Sequence, residues 1–160
     1  RGRGTEYPFE TVYPLLLHEM RRVAAYADRA RVTLNLEPIN RYEVALVNST
    51  AEGRTLLKDI GSPKNVGILY DTFHSNIEDE DMLSAIRENA GQISHVHLAD
   101  SNRRLPGEGH TDFPAILKTL EQSAYSGYVS LEVLNRPDRA HIRACAGKQM
   151  RKIMEECKNA

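Results

Sequence analysis

Residues 66–76 read Val-Gly-Ile-Leu-Tyr-Asp-Thr-Phe-His-Ser-Asn, an apolar run that turns abruptly polar. The part with β-strand character extends from Val66 to Tyr70, and Asp71 and His74 follow it. α/β barrels and doubly wound sheets build their sites in this way, from side chains at the C-terminal ends of buried strands. Three other stretches of the chain repeat the design, which indicates a repeated βα architecture.

Helix and strand patterns alternate along the chain. Apolar residues spaced three and four apart predict a long amphipathic helix over residues 9–30, and later helices are expected at 49–60, 79–89, 113–122 and 137–158. Strands are expected near residues 32–37, 65–70, 93–98 and 127–132, with residues 71–76 as a loop. Because strands and helices alternate, we expect parallel strands joined by right-handed crossovers.

Four βα units are half of an eight-stranded barrel, and a complete barrel typically needs about 250 residues. The chain has 160 residues. We therefore predict one α/β domain over residues 1–160, of (β/α)8 TIM barrel type, that corresponds to the C-terminal half of the barrel. The first half would come from a missing N-terminal segment or from a partner chain. A small open parallel sheet is the alternative fold, but no glycine-rich phosphate loop follows any strand, which disfavours a nucleotide-binding fold.

The composition is that of a globular protein without a nucleic-acid or membrane partner. Hydrophobic residues make up 41% of the chain and the formal net charge is −1, with no basic stripe for nucleic acid. No apolar run approaches the roughly 20 residues of a membrane-spanning helix, and the first residues are too polar for a signal peptide. Cys145 and Cys157 would lie about 18 Å apart on one helix, too far to bridge. These features predict a cytoplasmic protein with free thiols.

Each predicted strand ends in a residue that can bind a metal ion. These residues are Glu37, Asp71, His97 and Glu132. Strand ends of a barrel converge on one face, so all four side chains can point at one centre. Three carboxylates and one imidazole form an oxygen-rich set that suits Mn²⁺, Mg²⁺ or Co²⁺ better than a structural zinc ion. One such residue would ordinarily be a solvated carboxylate or a core histidine, but four in equivalent places indicate a metal site.

Two histidines on the third strand compete for the metal position. His95 and His97 are two residues apart and so share a strand face. Only His97 is near enough to the C-terminal end of the strand to reach the site, and we expect His95 to be a packed, hydrogen-bonded neighbour. His110, in the long loop over residues 99–111, is a better functional candidate than His141 on the final helix.

Five short motifs together resemble a known family. They are Glu37-Pro-Ile-Asn-Arg-Tyr-Glu43, Asp71-Thr-Phe-His74-Ser-Asn-Ile-Glu78, His95-Val-His97 through Asn102-Arg103, Gly107-Glu-Gly-His110 and Leu131-Glu132. The combination resembles the xylose-isomerase-like TIM barrels, and most of all their ketose 3-epimerase branch, which acts on sugars such as D-tagatose and D-psicose. The resemblance extends from about residue 5 to residue 140.

The resemblance implies a divalent-metal enzyme, with Mn²⁺ as the first choice, that epimerises a ketose at C3. The implied metal ligands are Glu37, Asp71, His97 and Glu132. Glu37 and Glu132 also match the family's acid/base pair, and the residues that match its sugar-binding positions are Glu43, His74 and Arg103. The family forms eight-stranded barrels that are usually dimeric or tetrameric, so a homo-oligomer is expected. Nothing in the chain matches the first four βα units of the family.

The implied chemistry agrees with these residue types. Epimerisation next to a carbonyl removes a weakly acidic C–H proton and returns a proton on the opposite face, which two carboxylates can do as base and acid. A metal ion on the carbonyl and hydroxyl oxygens would stabilise the enediolate. His74 and Arg103 can donate hydrogen bonds or charge to the same oxygens.

Three other functions stay open at the level of sequence. Hydroxypyruvate isomerases, sugar-phosphate epimerases and inosose dehydratases share much of this ligand set, and Arg103, Arg104 and the loop at 107–110 could receive a phosphate. Apurinic endonucleases use the same barrel with zinc, but the near-neutral charge argues against a DNA substrate. A non-catalytic half-barrel is the third possibility, because the open edges of a four-stranded sheet invite pairing with another chain.

Overall fold

The structure, a computed structural model, describes residues 8–159; the ends of the predicted domain, residues 1–7 and residue 160, lie outside the described residues. Strands and helices alternate along the chain, and a second short helix follows β2. In chain order the elements are α1 (Phe9–Arg29), β1 (Leu34–Leu36), α2 (Thr50–Asp59), β2 (Val66–Asp71), α3 (Thr72–Glu78), α4 (Met82–Asn89), β3 (Ile93–Leu98), α5 (Phe113–Gln122), β4 (Tyr128–Leu131) and α6 (Arg139–Asn159).

The four strands form one parallel sheet in the order β1-β2-β3-β4. Each strand pairs with its successor in sequence, as expected when helical crossovers connect parallel neighbours. The register places Asp71 beside His97, so the ends of β2 and β3 lie level with one another. The predicted α/β architecture of four parallel strands is confirmed.

The first strand is shorter than the sequence pattern suggests. Only Leu34–Leu36 form β1, because the flanking backbone does not continue the ladder with β2. The N–H of Val32 donates to the carbonyl of Ala27 at the end of α1, at 2.9 Å. Pro38 has no N–H to donate to a ladder. Glu37 therefore lies just beyond the strand, at the C-terminal edge of the sheet.

The segment after β2 is a helix and not the loop that we expected over residues 71–76. Asp71 ends the strand and caps α3, since its Oδ1 accepts hydrogen bonds from the N–H groups of Phe73 at 2.7 Å and His74 at 3.4 Å. A side-chain acceptor at this position stabilises a helix start. The same cap fixes the Asp71 carboxylate at the end of the sheet.

The next helix begins later than residue 79, where we expected it. Asp79 is held outside α4 because its carboxylate accepts hydrogen bonds from the N–H and the hydroxyl of Thr50, at 3.0 and 2.7 Å. Asp81 then takes the cap position of α4 and accepts from the N–H of Ser84. The first turn of α4 therefore contains no acidic residue, and a single acidic cap precedes it.

Buried apolar side chains fill the space between the sheet and its helices. One cluster lies against α4, α5 and α6, and consists of Tyr70, Ile86, Ile93, Val96, Leu98, Phe113, Ile116, Leu120 and Ile153. A second lies against α1 and α2, and consists of Ala24, Leu56, Leu57, Ile60, Val66 and Ile68. Strand side chains alternate between faces, so Asp71 and His97 point away from this core. None of the helices within residues 8–159 is long and apolar enough to cross a membrane.

Candidate metal centre

The ends of the four strands bring four predicted ligands together. The three carboxylates surround Nδ1 of the fourth ligand, His97. This nitrogen lies 3.7 Å from Oε1 of Glu37, 3.6 Å from Oδ2 of Asp71 and 3.8 Å from Oε2 of Glu132. Glu37 follows β1, Asp71 ends β2, His97 lies on β3 and Glu132 follows β4. Parallel strands in sequential order therefore place one polar side chain from each strand around a single point.

This cluster has the donor chemistry of a divalent cation site. The Asp71 side chain is fully buried, and neither its Oδ2 nor Nδ1 of His97 has a hydrogen-bond partner within residues 8–159. Buried polar atoms ordinarily have partners, and three carboxylates around one nitrogen repel one another. A cation bound by carboxylate oxygens and one imidazole lone pair would give the unpartnered atoms a partner and would offset the repulsion between the carboxylates.

Burial raises the pKa of the Asp71 carboxyl group. Removal from water disfavours the charged carboxylate, and the nearby charges of Glu132 and Glu37 add to the effect. The N–H of Phe73 opposes it, and the balance raises the pKa of Asp71 to about 7. At neutral pH this carboxyl group is thus close to its protonation midpoint unless a positive charge lies beside it.

Glu132 titrates in the opposite direction. Burial raises its pKa, but the guanidinium of Arg103, which donates from Nη2 to Oε2 at 3.2 Å, together with His97 holds the pKa below its usual range. Arg103 makes this contact with Glu132 and not with Asp71, which explains why the pKa values of these two neighbouring carboxyl groups shift in opposite directions. Glu132 is also the more accessible of the two, with 46% of its side chain exposed.

Arg103 connects two of the predicted site residues. Its Nη1 donates to Oε1 of Glu43 at 2.9 Å, while its Nη2 contacts Glu132. The guanidinium carbon lies 4.8 Å from the ring centroid of Phe73 on α3, within the range of a cation–π interaction. The backbone of Arg103 has φ of 59°, so the loop after β3 adopts a left-handed turn to present this side chain.

Asp100 organises that loop, and the sequence alone did not reveal it. The carboxylate is completely buried and accepts hydrogen bonds from four backbone N–H groups, which belong to Ser101, Gly107, Gly109 and Thr111. Burial raises the pKa of Asp100, but the four donors together hold it below its usual range. The signal available in sequence was an aspartate two residues after a strand, followed by two glycines in the same loop.

His74 is the second histidine at the cluster. One of its ring nitrogens lies within 4.8 Å of carboxylate oxygens from Glu37, Asp71 and Glu132. Its ring is buried beside Asn40, a residue that sequence reasoning did not single out. Asn40 also donates from Nδ2 to Oε1 of Glu43 at 3.0 Å. The predicted sugar-binding residues Glu43, His74 and Arg103 therefore border the predicted metal ligands.

Of the remaining histidines, His95 lies beside the candidate metal centre, whereas His110 and His141 contact the loop after β3. His95 hydrogen-bonds through Nε2 to Oγ of Ser130 at 2.8 Å, and its ring meets that of His97 edge-on at 5.1 Å, so it is the packed neighbour that we expected. His110 contacts Oγ of Ser101 at 3.0 Å. His141 contacts Glu108, a residue of the loop that Asp100 organises, at 2.6 Å.

Comparison with protein families gives a match over almost the whole chain. Residues 2–157 match the family model described as xylose isomerase-like TIM barrel. Among curated relatives, the L-ribulose 3-epimerase of Mesorhizobium japonicum is 43% identical over 131 residues, which cover 82% of this chain and 44% of the relative. The 3-dehydro-D-guloside 4-epimerase of Escherichia coli is 35% identical over 71% of this chain and 43% of the relative.

Solved structures give the same result. An L-ribulose 3-epimerase structure superposes with a TM-score of 0.79 and 34% identity, over 89% of this chain and 53% of that chain. The chain thus spans about half the length of the proteins that it matches.

Proposed function

The chain belongs to the xylose isomerase-like TIM barrel family, as its motifs predicted, and from this premise we propose that it functions as a divalent-metal-dependent ketose 3-epimerase. The main support is the convergence of three carboxylates on Nδ1 of His97, within 3.6 to 3.8 Å, at the C-terminal ends of parallel strands. Barrel enzymes build their active sites on this face. The named 3-epimerase relative supports the choice of reaction.

We propose that the residues that hold the ion are Glu37, Asp71, His97 and Glu132. The set is hard and oxygen-rich, which favours Mn²⁺, with Mg²⁺ and Co²⁺ as alternatives. When bound, the ion would supply a Lewis acid beside the carbonyl and hydroxyl oxygens of the sugar. Asp71 is the best anchor because it is fully buried and its second oxygen already caps α3.

Glu37 and Glu132 act as the acid/base pair in this proposal. They come from β1 and β4, the two outer strands of the sheet, so they approach the cluster from opposite sides. Glu132 is ionised at neutral pH because Arg103 stabilises its charge, and an ionised carboxylate can remove the C3 proton. Glu37 enters this step with a proton and gives it to the other face of C3, so that Glu132 ends protonated and Glu37 ionised; the roles exchange for the reverse reaction.

The sugar oxygens are held by the residues around this pair. Arg103 has five N–H donors and uses two of its nitrogens on Glu43 and Glu132, so it can also donate to a substrate oxygen. Its positive charge stabilises the negative charge that develops on the enediolate. Glu43 accepts a hydrogen bond from a sugar hydroxyl, and His74 donates one to a neighbouring oxygen.

We test the proposal with a product screen. Protein stripped of metal with EDTA is incubated with L-ribulose, D-psicose, D-tagatose and D-fructose, before and after Mn²⁺ is restored, and products are separated by chromatography. The proposal predicts a C3 epimer that forms only with metal. Glu121→Gln, an exposed carboxylate on α5, is the matched control for substitutions at Glu37 and Glu132. Epimer formed in EDTA, or none formed from any ketose with Mn²⁺, would contradict it.

Epimerisation at C4 is the second candidate, and the name of the Escherichia coli relative favours it. In a 3-keto glycoside the C4 proton is also adjacent to a carbonyl, so the same two carboxylates could remove and return it. Adding a 3-keto glycoside to the screen distinguishes the two reactions, because only a 4-epimerase would convert it while leaving the free ketoses unchanged.

We also propose that residues 1–160 form one domain whose sheet is completed by further polypeptide. Within the described residues, β1 and β4 each have one neighbouring strand, and open edges of this kind favour pairing with another strand. On β4, Tyr128 is 84% exposed and Val129 is 41% exposed, which is a large apolar area for a strand. A preceding segment of the same polypeptide or a second copy could cover it, and sedimentation at several concentrations distinguishes these cases.

A further inference from the structure

Asn40 and His74 form a buried pair beside the candidate metal centre. Both residues are almost fully buried, with 1% and 2% of their surface exposed. The two meet at Nδ1 of the His74 ring. The side-chain Nδ2 of Asn40 lies 2.8 Å from this nitrogen, and the backbone N of Asn40 lies 3.3 Å from it.

The orientation of the Asn40 amide is fixed by its other partners. Its Oδ1 accepts from the backbone N–H of Tyr42 at 3.0 Å, a group that can only donate. Its Nδ2 donates to Oε1 of Glu43 at 3.0 Å, and a carboxylate can only accept. The nitrogen side of the amide therefore faces His74, and an exchange of the amide oxygen and nitrogen would break both other bonds.

These contacts determine the tautomer of His74. Nδ1 faces two N–H groups and no acceptor on Asn40, so it must offer its lone pair to them. A neutral imidazole with an acceptor at Nδ1 has its proton on Nε2. We propose that Asn40 is a positioning residue, which holds His74 in the Nε2–H form and so makes it a hydrogen-bond donor to the substrate and not a ligand of the metal ion.

The contrast with His97 supports this assignment. A histidine that binds a metal must offer a ring-nitrogen lone pair to it. Nδ1 of His97 has no hydrogen-bond partner in the described part of the chain and lies among the three carboxylates. In His74 the Nδ1 lone pair is already used and the other nitrogen has a proton. Two histidines within reach of one cluster thus have different roles, and Asn40 sets the difference.

The same asparagine connects the substrate-facing side chains to one another. Arg103 contacts Glu43 at 2.9 Å, Glu43 contacts Asn40 at 3.0 Å, and Asn40 contacts His74 at 2.8 Å. Hydrogen-bond networks of this kind orient the groups that meet a substrate. Asn40 is the central member, although it need not touch the sugar itself.

NMR can observe the protonation of the His74 ring nitrogens directly. Long-range ¹H–¹⁵N NMR of the ¹⁵N-labelled chain in EDTA distinguishes protonated from unprotonated ring nitrogens, and loss of the signal in His74→Gln assigns it. We expect an unprotonated Nδ1 and a protonated Nε2. Addition of Mg²⁺ should shift the His97 signals and leave the proton of His74 in place. A proton on Nδ1, or loss of the Nε2 proton when Mg²⁺ binds, would overturn the proposal.

Two substitutions test whether Asn40 is the cause. Asn40→Asp replaces the donor with an acceptor, so the proton should move to Nδ1 or the ring should become doubly protonated. Asn40→Ala introduces no charge beside Glu43 and removes the shorter of the two contacts, so that only the backbone N–H at 3.3 Å remains; the His74 signals should then shift toward the average of both tautomers. Signals of the exposed His18 should be the same in all variants. An unchanged His74 pattern in the variant that folds, or in both, would refute the role of Asn40.

The role of His74 as a donor to sugar rests on the function proposed above, but the tautomer does not. If no ketose is turned over and the NMR result is as expected, the proposed function fails while the Asn40 assignment stands. If turnover occurs, Asn40→Asp should lower kcat while Mn²⁺ affinity is retained. A loss of Mn²⁺ affinity equal to that of Asp71→Asn would instead make His74 a ligand.

Discussion

Replacement of Asp71 by asparagine should make the folded protein more stable than the wild type in EDTA and less stable than the wild type in Mn²⁺. Asparagine keeps the oxygen that caps α3, and it is as good a cap as aspartate. Its NH₂ group takes the place of Oδ2, the buried carboxylate oxygen that lacks a hydrogen-bond partner within residues 8–159. Repulsion among the carboxylates therefore falls, while one metal ligand is lost.

The magnitude follows from the titration of Asp71. Its pKa is raised from 3.8 to about 7, which corresponds to about 4 kcal/mol of unfolding free energy. A raised carboxyl pKa means that the folded state binds the extra proton. Its stabilising effect is complete below the ordinary pKa and is lost as the pH rises through about 7. Without metal, the wild type should lose up to about 4 kcal/mol between acidic and slightly alkaline pH, and Asp71→Asn should lose much less.

The assay is urea unfolding at pH 5 and pH 8, in EDTA and in excess Mn²⁺. At pH 8 in EDTA, Asp71→Asn should have the higher unfolding free energy. In Mn²⁺ at about ten thousand times the Kd of the wild type the order should reverse, because binding then adds about 5.5 kcal/mol to the wild type, more than the roughly 4 kcal/mol that the charged Asp71 costs in EDTA. Asp100→Asn is the matched control: its carboxylate is buried but fully hydrogen-bonded, so this variant should be less stable under every condition. If Asp71→Asn is less stable than the wild type in EDTA at pH 8, the reasoning is wrong.

Four further substitutions have distinct expected results. Glu37→Gln and Glu132→Gln should each abolish turnover, and Mn²⁺ binding measured by calorimetry should persist in at least one of them; full activity in either would refute the two-base scheme. Arg103→Lys should raise KM about tenfold or more in steady-state kinetics, because a single ammonium cannot span both carboxylates, and an unchanged KM would remove Arg103 from the sugar site. Gly109→Ala should lower both stability and activity, since a Cβ there would collide with the Asp100 carboxylate, and a wild-type melting curve would contradict this.

The sequence predicted the parts of the molecule that depend on local pattern. Alternating apolar runs gave the four parallel strands, and a polar residue after each run gave the cluster around His97. The short helix α3 was missed because seven residues show too little periodicity, although the capping aspartate was visible. β1 was overestimated because its limits depend on bonds made by Val32 and on the missing N–H of Pro38.

Asn40 and Asp100 illustrate what local pattern does not contain. Asn40 is 34 residues from His74 in sequence, and its importance arises only when α3 folds against the loop after β1. Asp100 accepts bonds from N–H groups up to 11 residues away, so its role depends on the closed shape of a loop that has no repeating pattern. Both side chains are buried and polar, and their partners could be identified only in three dimensions.

The proposed function requires this face of the sheet to remove and return a proton at C3 of a ketose with help from a metal ion. The most direct measurement is solvent exchange followed by NMR, in D₂O, with D-fructose, D-tagatose and D-psicose, after metal is removed and again after Mn²⁺ is restored. We expect deuterium at C3 together with a new epimer, and only when the metal is present. Deuterium at C1, or no exchange with any ketose in the presence of Mn²⁺, would contradict it.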